Sequence, residues 1–141
     1  MALKMRFLYY SGKNKMKAIA DLVKNEFELG ANHNAIDQIP PAYSCNNERL
    51  VILGISGKGE PDDVLRRFCF ELDKKKAQNV ALLVDGDEKI ANSLLDVLKQ
   101  TGTNVATNVK FIKIGLFGGK VTEDEKADIL AWAHSIVDNI Q

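Results

Sequence analysis

Apolar runs with strand character alternate along this chain with segments whose apolar residues repeat at helical spacing. Three runs, at 5–10, 50–55 and 80–84, are apolar almost throughout. Such runs are typical of strands that are covered on both faces of a sheet. A weaker strand at 35–36 and an alternating one at 109–114 bring the strand–helix alternations to five. The pattern predicts an α/β fold with a mainly parallel sheet.

Composition narrows the classes of protein and partner. The 141 residues suit one domain, residues 1–141, and the 19 basic and 19 acidic residues cancel, so no overall charge favours nucleic acid or an anionic membrane. Cys45 and Cys69 lie far apart without a ligand cluster, which argues against a metal site or a redox dithiol. The N-terminus lacks an apolar signal core and no run is long enough for a membrane span, so we expect a soluble cytoplasmic protein.

Capping residues mark the starts of the later helices. Asp62 or Asp63 can cap the second helix, and Thr122 with Glu125 forms a capping-box pattern before the last one. The second helix is expected to end in a lysine run at 74–76, where cations at the negative end of the helix dipole explain the run without a nucleic-acid site.

The turn between the first strand and the first helix carries the clearest chemical signal. It consists of Ser11, Gly12, Lys13, Asn14 and Lys15. A strand–turn–helix of this kind directs backbone N–H groups and the positive end of a helix dipole above the strand, a geometry suited to phosphate. The two lysines either add charge that pairs with phosphate or are solvated residues at a helix start.

Two further loops are expected at the same edge of the sheet as this turn. In parallel sheets ligands bind beyond the carboxyl ends of the strands, and the loops at 56–61 and 85–89 follow the third and fourth strands. The loop at 116–120 is expected at this edge as well. Asp85 and Asp87 are two acids between a strand and a helix, a position more typical of N-caps than of a catalytic carboxylate pair.

These residues resemble the flavodoxins and flavodoxin-like proteins. The similarity covers nearly the whole chain and lies in the strand before the Ser-Gly turn, in residues 50–54 before a Gly-rich loop, and in residues 80–86. Residues 102–105 and 117–121, before an acidic helix, are similar to flavodoxin-like oxidoreductases. The resemblance implies a three-layer sandwich with a five-stranded parallel sheet of order 2-1-3-4-5.

The resemblance also implies FMN as cofactor. Members that bind FMN carry a Ser/Thr-x-Thr-Gly-x-Thr phosphate loop; with Gly12 on the motif glycine, Ser11 and Asn14 match the neighbouring hydroxyl positions and Tyr9 replaces the first. The phosphate would then lie at residues 11–15. The flavin ring would lie between two loops without aromatic residues, formed by Ser56, Gly57, Lys58 and Gly59 and by Asp85, Gly86 and Asp87.

Two functions remain open at this point. The first is an FMN-binding protein in electron transfer or flavin-dependent reduction, an electron carrier or oxidoreductase that works with a redox partner protein. The net charge of zero departs from the acidic character of flavodoxins that shuttle electrons. The second is a flavodoxin-fold module that has lost its flavin and binds another anion or a protein partner.

Overall fold

The structure of the chain is a computed structural model that describes residues 4–10, 14–29, 33–35, 47–113 and 121–140. Within those residues the chain forms six strands and four helices. They are β1 (Met5–Tyr10), α1 (Asn14–Glu26), β2 (His33–Ala35), β3 (Leu50–Gly57), α2 (Asp63–Glu71), β4 (Asn79–Gly86), α3 (Glu88–Gln100), β5 (Asn104–Val105), β6 (Lys110–Ile112) and α4 (Glu123–Asn139).

The strands form one parallel sheet in the order β2-β1-β3-β4-β5, and β6 also pairs with β4. Because β3 occupies one edge of β4, the two short strands follow each other along its other edge. There β5 pairs with Asn79 and Val80, whereas β6 pairs with residues 83–85. The predicted parallel sheet of order 2-1-3-4-5 is confirmed, with its fifth position divided between two short strands.

The sheet extends further toward the candidate site than the sequence indicates. Ser56 and Gly57 belong to β3, and Asp85 and Gly86 belong to β4, where we had expected loops. Since β3 and β4 stay paired to these last residues, this end of the sheet is regular and the register fixes which side chains are neighbours. The second strand includes residues 33–35, so it begins before the predicted 35–36, and residue 36 lies outside the described residues.

Helices cover both faces of the sheet. On one face α1 and α4 pack over alternate strand residues such as Phe7, Ile52 and Leu83. On the other face α2 and α3 pack over the residues between them, such as Leu53 and Leu82. The three layers that the resemblance implies are therefore present, and the side of the sheet on which a strand residue lies follows from its position.

The predicted helix caps are present. The Asp62 carboxylate accepts the Leu65 N–H at 2.9 Å and so caps α2. The Thr122 hydroxyl accepts the Glu125 N–H at 3.2 Å while the Glu125 carboxylate accepts the Thr122 N–H at 3.0 Å, which completes the capping box of α4. Each pair satisfies backbone donors that the first turn of a helix otherwise leaves without partners.

Two details depart from the sequence interpretation. α2 ends at Glu71, so the lysines at 74–76 lie in a turn beyond it, although Lys76 does donate to the Glu71 carbonyl oxygen at 2.9 Å. The alternation of apolar residues and lysines at 109–114 does not place both lysines in water: Lys113 is exposed, but Lys110 is half-buried and bonded to Asp128, while Phe111 is 42% exposed. Residue 114 of that predicted strand lies outside the described residues.

Candidate functional site

The predicted ring-binding residues lie together at the carboxyl ends of β3 and β4. The parallel register places Ser56 beside Asp85 and Gly57 beside Gly86. Lys58 and Gly59 follow β3, and Asp87 follows β4. Ser11, Gly12 and Lys13 of the predicted phosphate turn lie outside the described residues, as does the 116–120 loop, and Asn14 is the first residue of α1.

Gly57 and Gly86 bring the two strand ends close together. A Cβ atom at Gly86 would lie 1.8 Å from the Gly57 carbonyl oxygen, which no side chain can occupy without moving the backbone. A Cβ at Gly57 would lie 3.0 Å from the Cδ1 atom of Ile90 on α3. Glycine is required at Gly86 because the neighbouring backbone passes directly against it.

Asp87 joins the loop after β3 to the start of α3. One carboxylate oxygen caps the helix by accepting the Ile90 N–H at 3.0 Å, and the Gly59 N–H lies 3.1 Å from each of the two oxygens. Hydrogen bonds from these backbone groups, Ile90 first and Gly59 second, hold the pKa of Asp87 below its ordinary value. Asp87 is therefore an N-cap, as the sequence indicates, that also tethers the neighbouring loop.

Ser56 is directed away from that loop, toward the face that α1 covers. Two residues earlier on the same face, a Cβ at Gly54 would lie 2.7 Å from the Sδ atom of Met16, so α1 packs directly against this part of β3. The Ser56 hydroxyl oxygen exposes less than 1 Å² and has no hydrogen-bond partner within the described residues. A buried hydroxyl without a hydrogen-bond partner costs about 1–3 kcal/mol. Asp85, the register neighbour of Ser56 on β4, is half-buried on the same face of the sheet.

The first turn of α1 differs in charge from those of the other described helices. It contains no acidic residue, whereas α2, α3 and α4 each have at least one. Lys15 of this turn is only 8% exposed, and its Nζ atom lies 3.0 Å from the Glu125 carboxylate on α4. The interpretation of Lys15 as a solvated residue at the helix start is therefore wrong, because the structure buries this lysine in an ion pair between α1 and α4.

Glu125 thus has two roles. Its carboxylate completes the capping box with Thr122 and receives the Lys15 ammonium. The Thr122 N–H, followed by the Lys15 side chain, holds the pKa of Glu125 below its ordinary value. The positive end of the α1 dipole and the Lys15 charge therefore lie on the same side of the sheet as Ser56.

Tyr10 makes a contact with Asp62 that the sequence interpretation missed. Its hydroxyl donates to Asp62, whose other carboxylate oxygen caps α2. The two residues are 52 positions apart, so only the pairing of β1 with β3 brings them together. The Tyr10 ring packs against the α2/α3 core and the Tyr9 ring against the α1/α4 core.

The site contains neither a metal cluster nor a reactive thiol within the described residues. No group of three His, Cys, Asp or Glu side chains there could hold a metal ion. Cys69 lies in the α2/α3 core, where burial raises the pKa of its thiol to about 12 and keeps it protonated. In the same part of the chain no helix has the length and apolar content needed to cross a membrane.

Comparison with known proteins identifies the fold. No protein-family model matches the sequence, and no curated protein matches it. Among solved structures, oxidised Flavodoxin 2 from Bacillus cereus superposes with a TM-score of 0.71 at 19% identity, covering 97% of this chain and 99% of that one. The chain has a flavodoxin-like fold.

A second solved structure shares that flavodoxin-like fold within a larger protein. The metal-soaked flavodiiron core from Synechocystis sp. PCC6803 matches with a TM-score of 0.64 at 10% identity. The match covers 96% of this chain but 37% of the other. In a flavodoxin-like fold, the turn after β1 and the loops after β3 and β4 share one edge of the sheet, where the residues described above lie.

Proposed function

We propose that this protein binds FMN at the carboxyl edge of its sheet and serves in electron transfer or in a small flavin-dependent reduction. The observation that carries the proposal is the structural match to a flavodoxin along 97% of this chain and 99% of the other. The bound flavin supplies one- and two-electron chemistry, and a redox partner protein or a small substrate exchanges electrons with it.

The start of α1 is where the phosphate would bind. Ser11, Gly12, Lys13 and Asn14 supply backbone N–H groups, a hydroxyl and a cation, next to a first helical turn that contains no acidic residue. Because Lys15 is already paired with Glu125, we assign direct pairing with the phosphate charge to Lys13. Lys15 would act by fixing the first turn of α1 against α4.

The Ser56 hydroxyl supports a polar ligand group on the same side of the sheet. A buried hydroxyl without a partner in the described part of the chain gains a hydrogen bond when a ligand atom reaches it. The adjacent Asp85 carboxylate repels phosphate and accepts hydrogen bonds, so a hydroxyl-bearing part of the ligand suits this position better than the phosphate does. FMN carries such hydroxyls between its phosphate and its ring.

The ring side offers backbone groups and charges instead of aromatic stacking. Glycines at 57 and 59 let the backbone approach the ring edge, and the exposed Lys58 would favour added negative charge on a reduced ring. Asp85 and Asp87 would oppose that charge. The balance of these side chains sets the reduction potential.

One observation favours the alternative of a module that has lost its flavin and binds another anion or a protein partner. The Gly59 N–H is bonded to Asp87, so the loops after β3 and β4 contact each other where a ring would lie between them. Under the FMN proposal the ring lies against the outside of these loops or the tether opens on binding.

Titration of the purified protein with FMN, followed by visible absorption and flavin fluorescence, separates the two functions. Saturable binding supports the FMN-binding function. If no binding is detected at high micromolar FMN, the protein is instead the module that has lost its flavin. A Lys13→Glu variant should then weaken FMN binding by at least about tenfold, because the proposed charge contact with the phosphate is lost and its sign is reversed. Lys17→Glu, an exposed α1 residue of the same charge, is the matched control and should bind nearly as well as wild type.

A further inference from the structure

The outward face of α2 exposes two large apolar side chains on a helix of nine residues. Phe70 is 62% exposed and Val64 is 50% exposed. Phe70 lies one turn from the exposed Arg66 and Arg67. Aromatic residues and arginine are the types enriched at protein interfaces and at their energetic hot spots.

The charges on this face follow a definite order. Asp63, Arg67 and Glu71 are spaced four residues apart and all are exposed, so they lie along one side of the helix. None of the three has an ion-pair partner among the described residues, whereas Arg66 is paired with Glu60 at 3.1 Å. Arg67 therefore lies between two acidic residues, Asp63 and Glu71, one helical turn away on each side.

This order is complementary to itself when two copies of the helix lie antiparallel. We propose that the outward face of α2 binds the same face of a second copy of this chain about a two-fold axis, with each Arg67 against Glu71 of the partner subunit. A two-fold axis makes every such pair occur twice. In this register Phe70 lies close to the axis beside the partner's Arg67.

The same register also gives Asp63 a favourable neighbour. The first residue of α2 then lies opposite the turn that follows the partner's helix, and that turn contains the exposed Lys74 and Lys75. A nucleic acid fits this face less well, because its phosphates would meet Asp63 and Glu71. A face of one nine-residue helix is small, so the dimer is a weak one that forms at high protein concentration.

Sedimentation equilibrium over a concentration series up to about 1 mM tests the proposal, since small interfaces associate weakly. Arg67→Glu and Glu71→Arg should each weaken association about tenfold, because each places like charges together at two symmetric positions. The double variant Arg67→Glu/Glu71→Arg restores opposite charges and should associate as wild type does. Helical content measured by circular dichroism shows that each variant folds.

Exposed phenylalanines provide a matched control. Phe70→Ser should abolish association, whereas Phe111→Ser, which removes an exposed ring on β6, should leave it unchanged. A wild-type chain that stays monomeric at the highest concentration overturns the proposal. The same result is expected if the outward face of α2 binds a different partner. Failure of the double variant to recover, or an equal effect of the two Phe variants, also overturns it. These outcomes do not depend on FMN, since the protein is measured without added flavin.

Discussion

The backbone N–H of Gly59 lies 3.1 Å from both carboxylate oxygens of Asp87, so the loop after β3 is held against the first turn of α3. The same carboxylate caps that helix through Ile90. One side chain therefore fixes the relative positions of the two loops that border the candidate ring site.

We expect Asp87→Ser to release the loop without uncapping the helix. Serine is a good N-cap but is too short to reach Gly59 as well. Amide hydrogen exchange at Gly59 should speed up by about tenfold, the factor that corresponds to one ordinary hydrogen bond. Exchange within α3 should change little. Glu88→Gln, at the neighbouring exposed position, is the control, and an unchanged Gly59 rate in Asp87→Ser would show that the tether is absent in solution.

The Lys15–Glu125 pair should contribute to stability through the buried lysine. Glu125→Gln keeps a residue suited to the capping box but leaves the Lys15 ammonium buried without its partner. Because the Glu125 side chain is 33% exposed, we expect a loss of roughly 1–2 kcal/mol rather than the full cost of breaking a buried pair. Urea unfolding of the variant and of the wild type measures this loss in the free energy of unfolding.

Two further variants separate this effect from general disruption of α4. Lys15→Met in the Glu125→Gln background removes the unpaired charge and should recover at least half of the loss. Glu123→Gln changes a 90% exposed carboxylate of the same turn and should cost less than about 0.5 kcal/mol. Equal losses in Glu123→Gln and Glu125→Gln would contradict a specific role for the pair.

Acid should destabilise the fold through Asp87 and Glu125. The pKa of each is lowered in the folded protein, first by backbone N–H groups, so each carboxylate binds its proton more tightly in the unfolded chain. Their stabilisation is present above the ordinary carboxyl pKa of about 4 and is lost as the pH falls through the lower folded value. The free energy of unfolding should thus decline below about pH 5, and less steeply in Glu125→Gln. A protein that gains stability on acidification over this range would contradict the assignment.

Gly86→Ala should be strongly destabilising because the added Cβ would lie 1.8 Å from a backbone oxygen of β3. Separating the paired strand ends should cost roughly 2–4 kcal/mol in urea unfolding. Gly102→Ala is the control: its φ of +87° strains alanine, but the added atom meets nothing within 4 Å, so about 1 kcal/mol is expected. A smaller loss for Gly86→Ala than for Gly102→Ala would show that the strand ends are not so closely paired.

Much of the fold can be predicted from the sequence, because in the long strands and the capped helices the local sequence pattern agrees with the long-range packing. The apolar runs of β1, β3 and β4 are buried in the centre of the sheet, and Thr122 with Glu125 caps a helix as their spacing predicts. Where an element is short, the pattern fails: β5 has two residues, too few to show any periodicity, and it exists because β4 offers it an edge.

The candidate site was only partly predictable, since its contacts join distant parts of the chain. The pairing of Lys15 with Glu125 depends on how α1 meets α4, and a lysine near a helix start gives no sign that it is buried. The bond from Gly59 to Asp87 requires β3 and β4 to be neighbours and in register. Asp87 was recognisable as a cap from its position, but its second partner was not.

The affinity of the protein for FMN compared with riboflavin tests the central claim most directly. Riboflavin keeps the ring and the hydroxyl-bearing chain and lacks only the phosphate. If the start of α1 binds the phosphate, FMN should bind at least about tenfold more tightly than riboflavin, as a charge-assisted contact requires. Failure to bind FMN at high micromolar concentration, or equal affinity for the two flavins, would contradict the proposed site.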